Sequence, residues 1–451
     1  GGCWKMDNRK RNLLEQETQR RYLLLLFQTG LKEIWTDQYR LKVLVLYLLT
    51  VLLFSIIRPW DLAYSGPDIF DAVSRIAFSL CFPFLVFGGL AVLILWAGTP
   101  SKAKSIQNNL QRIGLVNHAG ETPLLVAVRT EESDDMHSRM TVLEFLACGV
   151  PKSVWEDKRA DIETALNIHI ADIRESDGKR RIQLYTVPAT DELPKLLPWK
   201  DAYLRDAFPA CKLVLGESLL GPVTLDLNLI PHVLLGGGTG SGKSVLLKLM
   251  LMQCLKQPNI QVTIADFKGG VDFGSPWRKH PNCKLILDRE TLLCYLDDVT
   301  EKLEQRKDIL GKVERRDIYD YNRHEPIPMD RIVFAVDEVA EILDKTGLTK
   351  EEKEQVARIE NRLSTIARQG RAFGIHLFLS TQRPDANILS GQIKNNIGYR
   401  ICGRADHVLS SIILDNTDAS DKILHDAQGR FLTGDGTVFQ AYWFDDTKKM
   451  F

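Results

Sequence analysis

The sequence predicts an α/β fold: a mainly parallel sheet covered on both faces by helices, preceded by a two-helix transmembrane hairpin and a small α/β domain. Three observations predict it. Short apolar runs at residues 232–235, 262–265, 332–336 and 376–380 are separated by helical segments, the pattern of strands buried on both faces. A glycine-rich stretch joins the first of these runs to a helical one. Two uncharged runs lie near the amino terminus.

Taken in order, residues 1–42 form a basic, cytoplasmic amino-terminal segment whose single apolar burst, 22–27, cannot make a core. The first uncharged run, 43–57, is about 15 residues, short of the ~20 that a spanning helix wants; the second, 76–98, is ample at about 23. Two such runs in succession read as a hairpin. Lys and Arg crowd before the first run and return after the second (Lys102, Lys104, Arg112), while the loop sets Arg58 and Arg75 against Asp61, Asp68 and Asp71. That asymmetry places both termini in the cytoplasm of a multi-pass cell-membrane protein, and the long charged lead argues against a cleavable signal peptide. A linker follows at 99–109. The small α/β domain at 110–210 combines helical periodicity at 160–173 with a strand-like run at 181–187, and no chemistry can be derived for it. Residues 211–451 form the third domain.

Composition excludes some functions. Lys plus Arg and Asp plus Glu both number 58, so the chain is not a generally basic polyanion binder and any nucleic-acid contact must be local. The eight cysteines show no CxxC pair, zinc spacing or regular framework, and read as reduced, mostly buried thiols.

Gly237-Gly238-Thr239-Gly240-Ser241-Gly242-Lys243-Ser244 fits GxxxxGK[ST] between a strand and a helix, the context this phosphate-binding loop demands. Its backbone N–H groups and the helix N-terminus favour the anion of ATP. Lys243 is expected to reach the β- and γ-phosphates, and the Ser244 hydroxyl to ligate Mg²⁺. About ninety residues on, the apolar run 332–336 ends in Asp337-Glu338. Carboxylates leaving a buried strand there suit a metal-holding Asp337 and a Glu338 that deprotonates the attacking water. The run after that ends in Thr381-Gln382-Arg383-Pro384, which makes Gln382 a candidate phosphate sensor. Arg371, just ahead of the same run, is either a solvated arginine at a helix end or a guanidinium that reaches a neighbouring subunit's phosphate.

Together with Val214-Leu215-Gly216-Glu217, Pro231-His232, residues 304–322, the AVDE strand end, GRAFGIH (370–376) and TQRP, these motifs resemble the FtsK/SpoIIIE motor domain over roughly 212–443. The resemblance implies a RecA-like P-loop NTPase that works as a homo-oligomer, usually a hexamer, with ATP between subunits and a central channel for a polymer. It makes Arg371 a trans-acting finger and favours Gln382 as sensor. It also places a segment carrying Lys394, Arg400, Arg404 and His407 toward the channel, as candidate DNA-phosphate contacts.

Departures from the family pattern narrow the expectation. The chain ends soon after a strand hairpin at 431–444, so the sequence-reading winged helix is expected to be absent, and two spans stand where chromosomal pumps commonly have four. Asp266-Phe267-Lys268-Gly269-Gly270 replaces their aspartate-proline form. The layout is most similar to FtsK-like coupling proteins of conjugative plasmids and integrative elements, which implies DNA, a relaxase, conjugative channel proteins and the membrane as partners. A type VII-like protein secretion ATPase, a chromosomal double-stranded DNA pump and a non-hydrolysing P-loop scaffold are the alternatives. Strandedness and direction of transport stay open.

Overall fold

A computed structural model describes residues 8–63, 66, 68–132, 139–190, 193–204, 211–382 and 389–446. Arg383 and Pro384 of the TQRP motif, and Cys3, lie outside these residues. The chain divides into two compact units, 1–191 and 192–451.

The first unit opens with helices α1 (Asn8–Thr36), α2 (Gln38–Ile57), α3 (Pro59–Ala63) and α4 (Ile69–Gly98). The stretches Gln38–Asp61 and Ile69–Gly98, of mean hydropathy 2.2 and 2.5, are each long and apolar enough to cross a bilayer. The first helix gains the length its uncharged core lacked because it starts five residues earlier, at Gln38, capped by Asp37, which accepts from the Tyr39 N–H at 2.8 Å. Tyr47 donates to the Val86 carbonyl (2.7 Å) and Arg40 to that of Ala97 (2.6 Å), tying α2 to α4. α1 crosses α4 backbone to backbone: a Cβ added at Gly30 would collide with the Ile94 carbonyl, and one at Gly98 with that of Leu26.

The expected linker is helical in part, as α5 (Ala103–Arg112), because Ala103 and Leu110 share a buried face. Next come β1 (Leu124–Glu132), β2 (Arg139–Leu146), α6 (Lys152–Asp157), α7 (Arg159–Leu166), β3 (Ile168–Ser176) and β4 (Arg181–Pro188). The strands form an antiparallel sheet, β1-β2-β4-β3, packed through Phe145, Leu184 and Leu125 onto Leu110, Trp155 and Ile162. The helical periodicity over 160–173 is thus cut in two. Asn167, left-handed at φ 54°, ends α7, and the chain turns into β3.

The second unit contains β5 (Leu197–Pro198), β6 (Lys212–Ser218), β7 (Gly221–Asp226), β8 (Val233–Gly236), α8 (Lys243–Leu255), β9 (Ile260–Ala265), α9 (Ser275–Lys279) and β10 (Cys283–Ile286). It continues with α10 (Arg289–Lys312), α11 (Ile318–His324), β11 (Arg331–Val336), α12 (Val339–Leu343), α13 (Lys350–Gln369), β12 (Ile375–Thr381), α14 (Gly391–Asn395) and β13 (Tyr399–Gly403). α15 (His407–Leu414), α16 (Asp418–Lys422), β14 (Arg430–Thr433) and β15 (Val438–Trp443) complete it. The sheet order is β10-β9-β11-β12-β8-β13-β14-β15-β6-β7, with β5 beside β15. Pairing is parallel from β10 through β13 and antiparallel from there to β7, so the predicted parallel sheet carries a mixed extension.

Strand pleating distributes one sheet between two cores. Ile332, Phe334 and Val336 face α10, α12 and α13, while Val333 and Ala335 face the α8 side. Of the described cysteines only Cys254 and Cys402 are buried; Cys294 and Cys81 lie exposed on the faces of α10 and α4.

Candidate nucleotide-binding site

All the parallel strands point their carboxyl ends the same way, and loops leaving β8, β9, β11, β12 and β13 meet at that edge. β8 lies between β12 and β13, and its exit loop, 237–242, leads straight into α8. Gly242 caps α8 at φ 95°, and a Cβ there would press within 3.2 Å of the Gly429 backbone, so no larger residue fits the turn. The loop is braced from the β13 side. Gly238 donates its N–H to the Arg404 carbonyl (2.7 Å), and the Arg404 guanidinium donates to the carbonyls of Thr239 and His425 (2.5 Å each).

Lys243 and Asp337 are almost wholly buried, at 3% and 1% exposure. Lys243 Nζ donates to the Asp337 backbone carbonyl (2.9 Å) and to Ser380 Oγ (2.7 Å), and lies 3.9 Å from Asp337 Oδ1. Burial pushes this ammonium down, with Asp337 and Glu338 working against it. Ser244 donates its hydroxyl to Asp337 Oδ1 at 3.0 Å. The other oxygen of that carboxylate, Oδ2, accepts from Lys268 Nζ at 3.1 Å. Burial raises the Asp337 carboxyl, but Lys243, Lys268 and Ser244 together hold it below the usual carboxylate range.

Glu338 follows on the same strand end and opens α12 as its cap. Its two oxygens are held apart: Oε1 accepts from the Thr381 hydroxyl (2.9 Å) and Oε2 from the Gln382 N–H (2.9 Å). Gln382 Oε1 in turn accepts from the Thr239 hydroxyl at 3.2 Å, linking the β12 exit to the phosphate loop. Residues 237–244, 337, 338 and 382 therefore converge.

Arg371 does not join them. It sits on a 3-10 turn, Gly370–Phe373, before β12, and the seven residues of that strand separate it from the carboxyl edge by roughly 20 Å. Its side chain is exposed and has no hydrogen bond or ion pair among the described residues. The four candidate DNA contacts also disperse. Lys394 and Arg400 both pair with Asp415, the first at 2.6 Å, and their side chains are only 19% and 17% exposed. Arg404 serves the phosphate loop, and His407, at the start of α15, hydrogen-bonds Ser420 Oγ at 2.9 Å.

Three participants escaped sequence reading. Ser380 and Thr381 follow the last apolar residues of β12, and Lys268 lies three residues beyond β9, next to β11 in the sheet. Polar residues at the exits of neighbouring parallel strands were the available signal.

The residues fit a magnesium nucleotide. The phosphate loop presents a buried lysine behind a glycine turn, and a hydroxyl and a carboxylate, both hard oxygen donors, lie 3.0 Å apart beside it. Among the described residues no group of three or more His, Cys, Asp or Glu is placed to hold a metal ion.

Known proteins share this sequence and fold. Residues 199–386 match the sequence model of the FtsK/SpoIIIE family. The solved structure of the pCW3 conjugation coupling protein TcpA, in its monomer form with ATPγS, is 34% identical and superposes with a TM-score of 0.56, covering 78% of this chain and 98% of that one. The chain belongs to the FtsK/SpoIIIE family. As an FtsK/SpoIIIE member it carries that family's P-loop ATPase fold. It is 30% identical over 220 residues to the DNA translocase FtsK of Helicobacter pylori, covering 47% of this chain and 25% of that one. With the FtsK of Staphylococcus aureus it shares 30% identity over 227 residues, 47% of this chain and 27% of the other. The chain thus spans about a quarter of the length of the curated relatives it matches.

Proposed function

We propose that this chain is a membrane-anchored, ATP-driven DNA translocase that acts as a coupling protein, delivering relaxase-bound DNA to a conjugative transfer channel. One observation carries the reading: likeness to a conjugation coupling protein extends over 78% of this chain, beyond the 47% shared with FtsK relatives. The two apolar helices support the anchor, and the surplus of Lys and Arg outside their loop supports a cytoplasmic ATPase.

In this reading Lys243 exchanges the Asp337 carbonyl and Ser380 for β- and γ-phosphate oxygens. Ser244 and Asp337 hold Mg²⁺, which neutralises phosphate charge when bound. Glu338, oriented by Thr381 and the Gln382 backbone, takes the proton of the attacking water. Gln382 reports phosphate state to Thr239, with which it already shares a hydrogen bond. Arg371 is too far from its own chain's site to act there, which favours service to a neighbouring subunit in a hexameric ring.

The test is ATP hydrolysis by the full chain in detergent, with and without DNA. Hydrolysis is expected to rise with added DNA, and comparing single with double strands identifies the substrate. A rate indifferent to both forms of DNA would overturn the translocase reading and leave a protein substrate as the better candidate.

A further inference from the structure

The Asp337 carboxylate, the proposed holder of the metal, has a side-chain partner on each oxygen without one. Ser244 takes Oδ1 and Lys268 takes Oδ2. A divalent cation entering on the Ser244 side, at Oδ1, would share one buried carboxylate with the lysine ammonium on Oδ2, and their repulsion across it favours the lysine's departure. Lys268 therefore needs somewhere to go.

The neighbouring strand supplies the place. β9 and β11 run parallel with Ala265 opposite Val336, which sets Asp266 beside Asp337 at the carboxyl edge. Asp266 is 1% exposed. Its Oδ1 accepts the Lys268 backbone N–H at 3.0 Å, while Oδ2 is buried with no hydrogen-bond partner. An unpartnered buried carboxylate oxygen is costly, and burial beside Asp272 and Asp337 pushes this carboxyl upward. An ammonium two residues away would relieve it. The segment is also built to turn: Gly269 and Gly270 follow with φ of 83° and 72°, and a Cβ at Gly269 would meet nothing within 4 Å.

We propose that Lys268 is a resident counter-cation of Asp337 that competes with the divalent ion and passes to Asp266 when that ion binds. This rests on the nucleotide-site reading above and deepens it. Lys268 acts here as a positioning residue: it keeps the carboxylate charged and aimed while the nucleotide is away, and its transfer turns the 266–270 loop on metal arrival. Asp266 and Lys268 then form one device. The lysine ammonium has a partner in both states, whereas Asp266 Oδ2 has one only in the loaded state.

The readout is Mn²⁺ binding to the full chain in detergent, followed by the electron paramagnetic resonance signal of free Mn²⁺, alone and with ATPγS. Lys268→Met keeps the length and removes the competing charge, so its Mn²⁺ affinity should rise about tenfold, within the range that groups adjoining a metal ligand control. Lys268→Arg keeps the charge and should stay near the parental value. Asp266→Asn removes the receiving carboxylate and should weaken Mn²⁺ binding. Mn²⁺ affinity that is unchanged or reduced in Lys268→Met, with parental binding intact, overturns the competition. Loss of ATPγS binding in EDTA also overturns it, since Lys268 would then be a phosphate ligand. A parental chain that binds neither Mn²⁺ nor ATPγS would instead overturn the nucleotide reading itself. The thermal midpoint of each variant identifies misfolding, and Lys268→Arg and Asp266→Asn keep the test decisive should Lys268→Met not fold.

Discussion

The two ends of β12 use polar groups in different ways. At the carboxyl end Ser380, Thr381 and Gln382 bond Lys243, Glu338 and Thr239, and most of these bonds join side chains that a ligand can take over. At the amino end the polar groups are equally buried but largely commit to the backbone. His376 Nδ1 donates to the Pro231 carbonyl (3.1 Å), and His232 Nδ1 accepts the Leu377 N–H (3.0 Å). Arg331 donates to His376 Nε2 at 3.3 Å, and Arg306 donates to the carbonyls of Phe373 and Asp330. Both histidines are thereby held neutral. The difference teaches that buried charge alone does not mark a site. Exchangeable partners mark it, and by that criterion the exposed Arg371 is the amino-end group free to act elsewhere.

The strongest test of that contrast is Arg371→Ala. Turnover should fall about 10³ to 10⁵-fold with nucleotide binding retained. Mixing these subunits with Glu338→Gln subunits should restore part of the activity, measured as ATP hydrolysis alongside fluorescent-nucleotide binding. Mixed rings with no recovery, when wild-type rings doped with Glu338→Gln lose rate only linearly, would return Arg371 to the structural group.

At the opposite end of the strand, Glu338→Gln should keep ATP bound and lower hydrolysis about 10² to 10⁴-fold. Lys243→Ala should lose binding itself. Equal loss of binding in both would erase the division between cradle and base.

The smallest effect belongs to the buried histidines. Burial holds His232 at about 4 against an ordinary 6.5, and His376 is also pushed well below it. Between those values the unfolded chain binds protons that the folded chain refuses. Stability is therefore complete above about pH 6.5 and is lost as pH falls toward 4, by about 3 kcal/mol for His232 alone. Thermal midpoints should drop between about pH 7 and pH 5, and drop less in His232→Asn, whose Oδ1 still accepts the Leu377 N–H. An unchanged pH profile in that variant would remove His232 from the account.

Local sequence carries the strand, loop and helix around Lys243 because every determinant lies within about twenty residues. It carries β11 and β12 as well, since their short, β-branched and aromatic apolar runs alternate with helical segments. β13 and β10 are illegible because Arg400 and Lys284 interrupt short runs. The pairings of Lys268 with Asp337 and of Lys243 with Ser380 depend on strand order, β9-β11-β12-β8, which no local pattern encodes. Arg400 and Lys394 looked available for phosphate because Asp415 lies 15 and 21 residues away in sequence.

For an engine of the kind proposed, hauling a polymer one way drives the engine the other way, and the anchor must absorb the recoil. The crossing of α1 and α4 at Gly30 and Gly98 answers that need. With no side chain between the two backbones, a Cβ at either glycine would force the helices apart, so the proposed anchor depends on glycine at both positions. A mooring built this way is a strut rather than a rope.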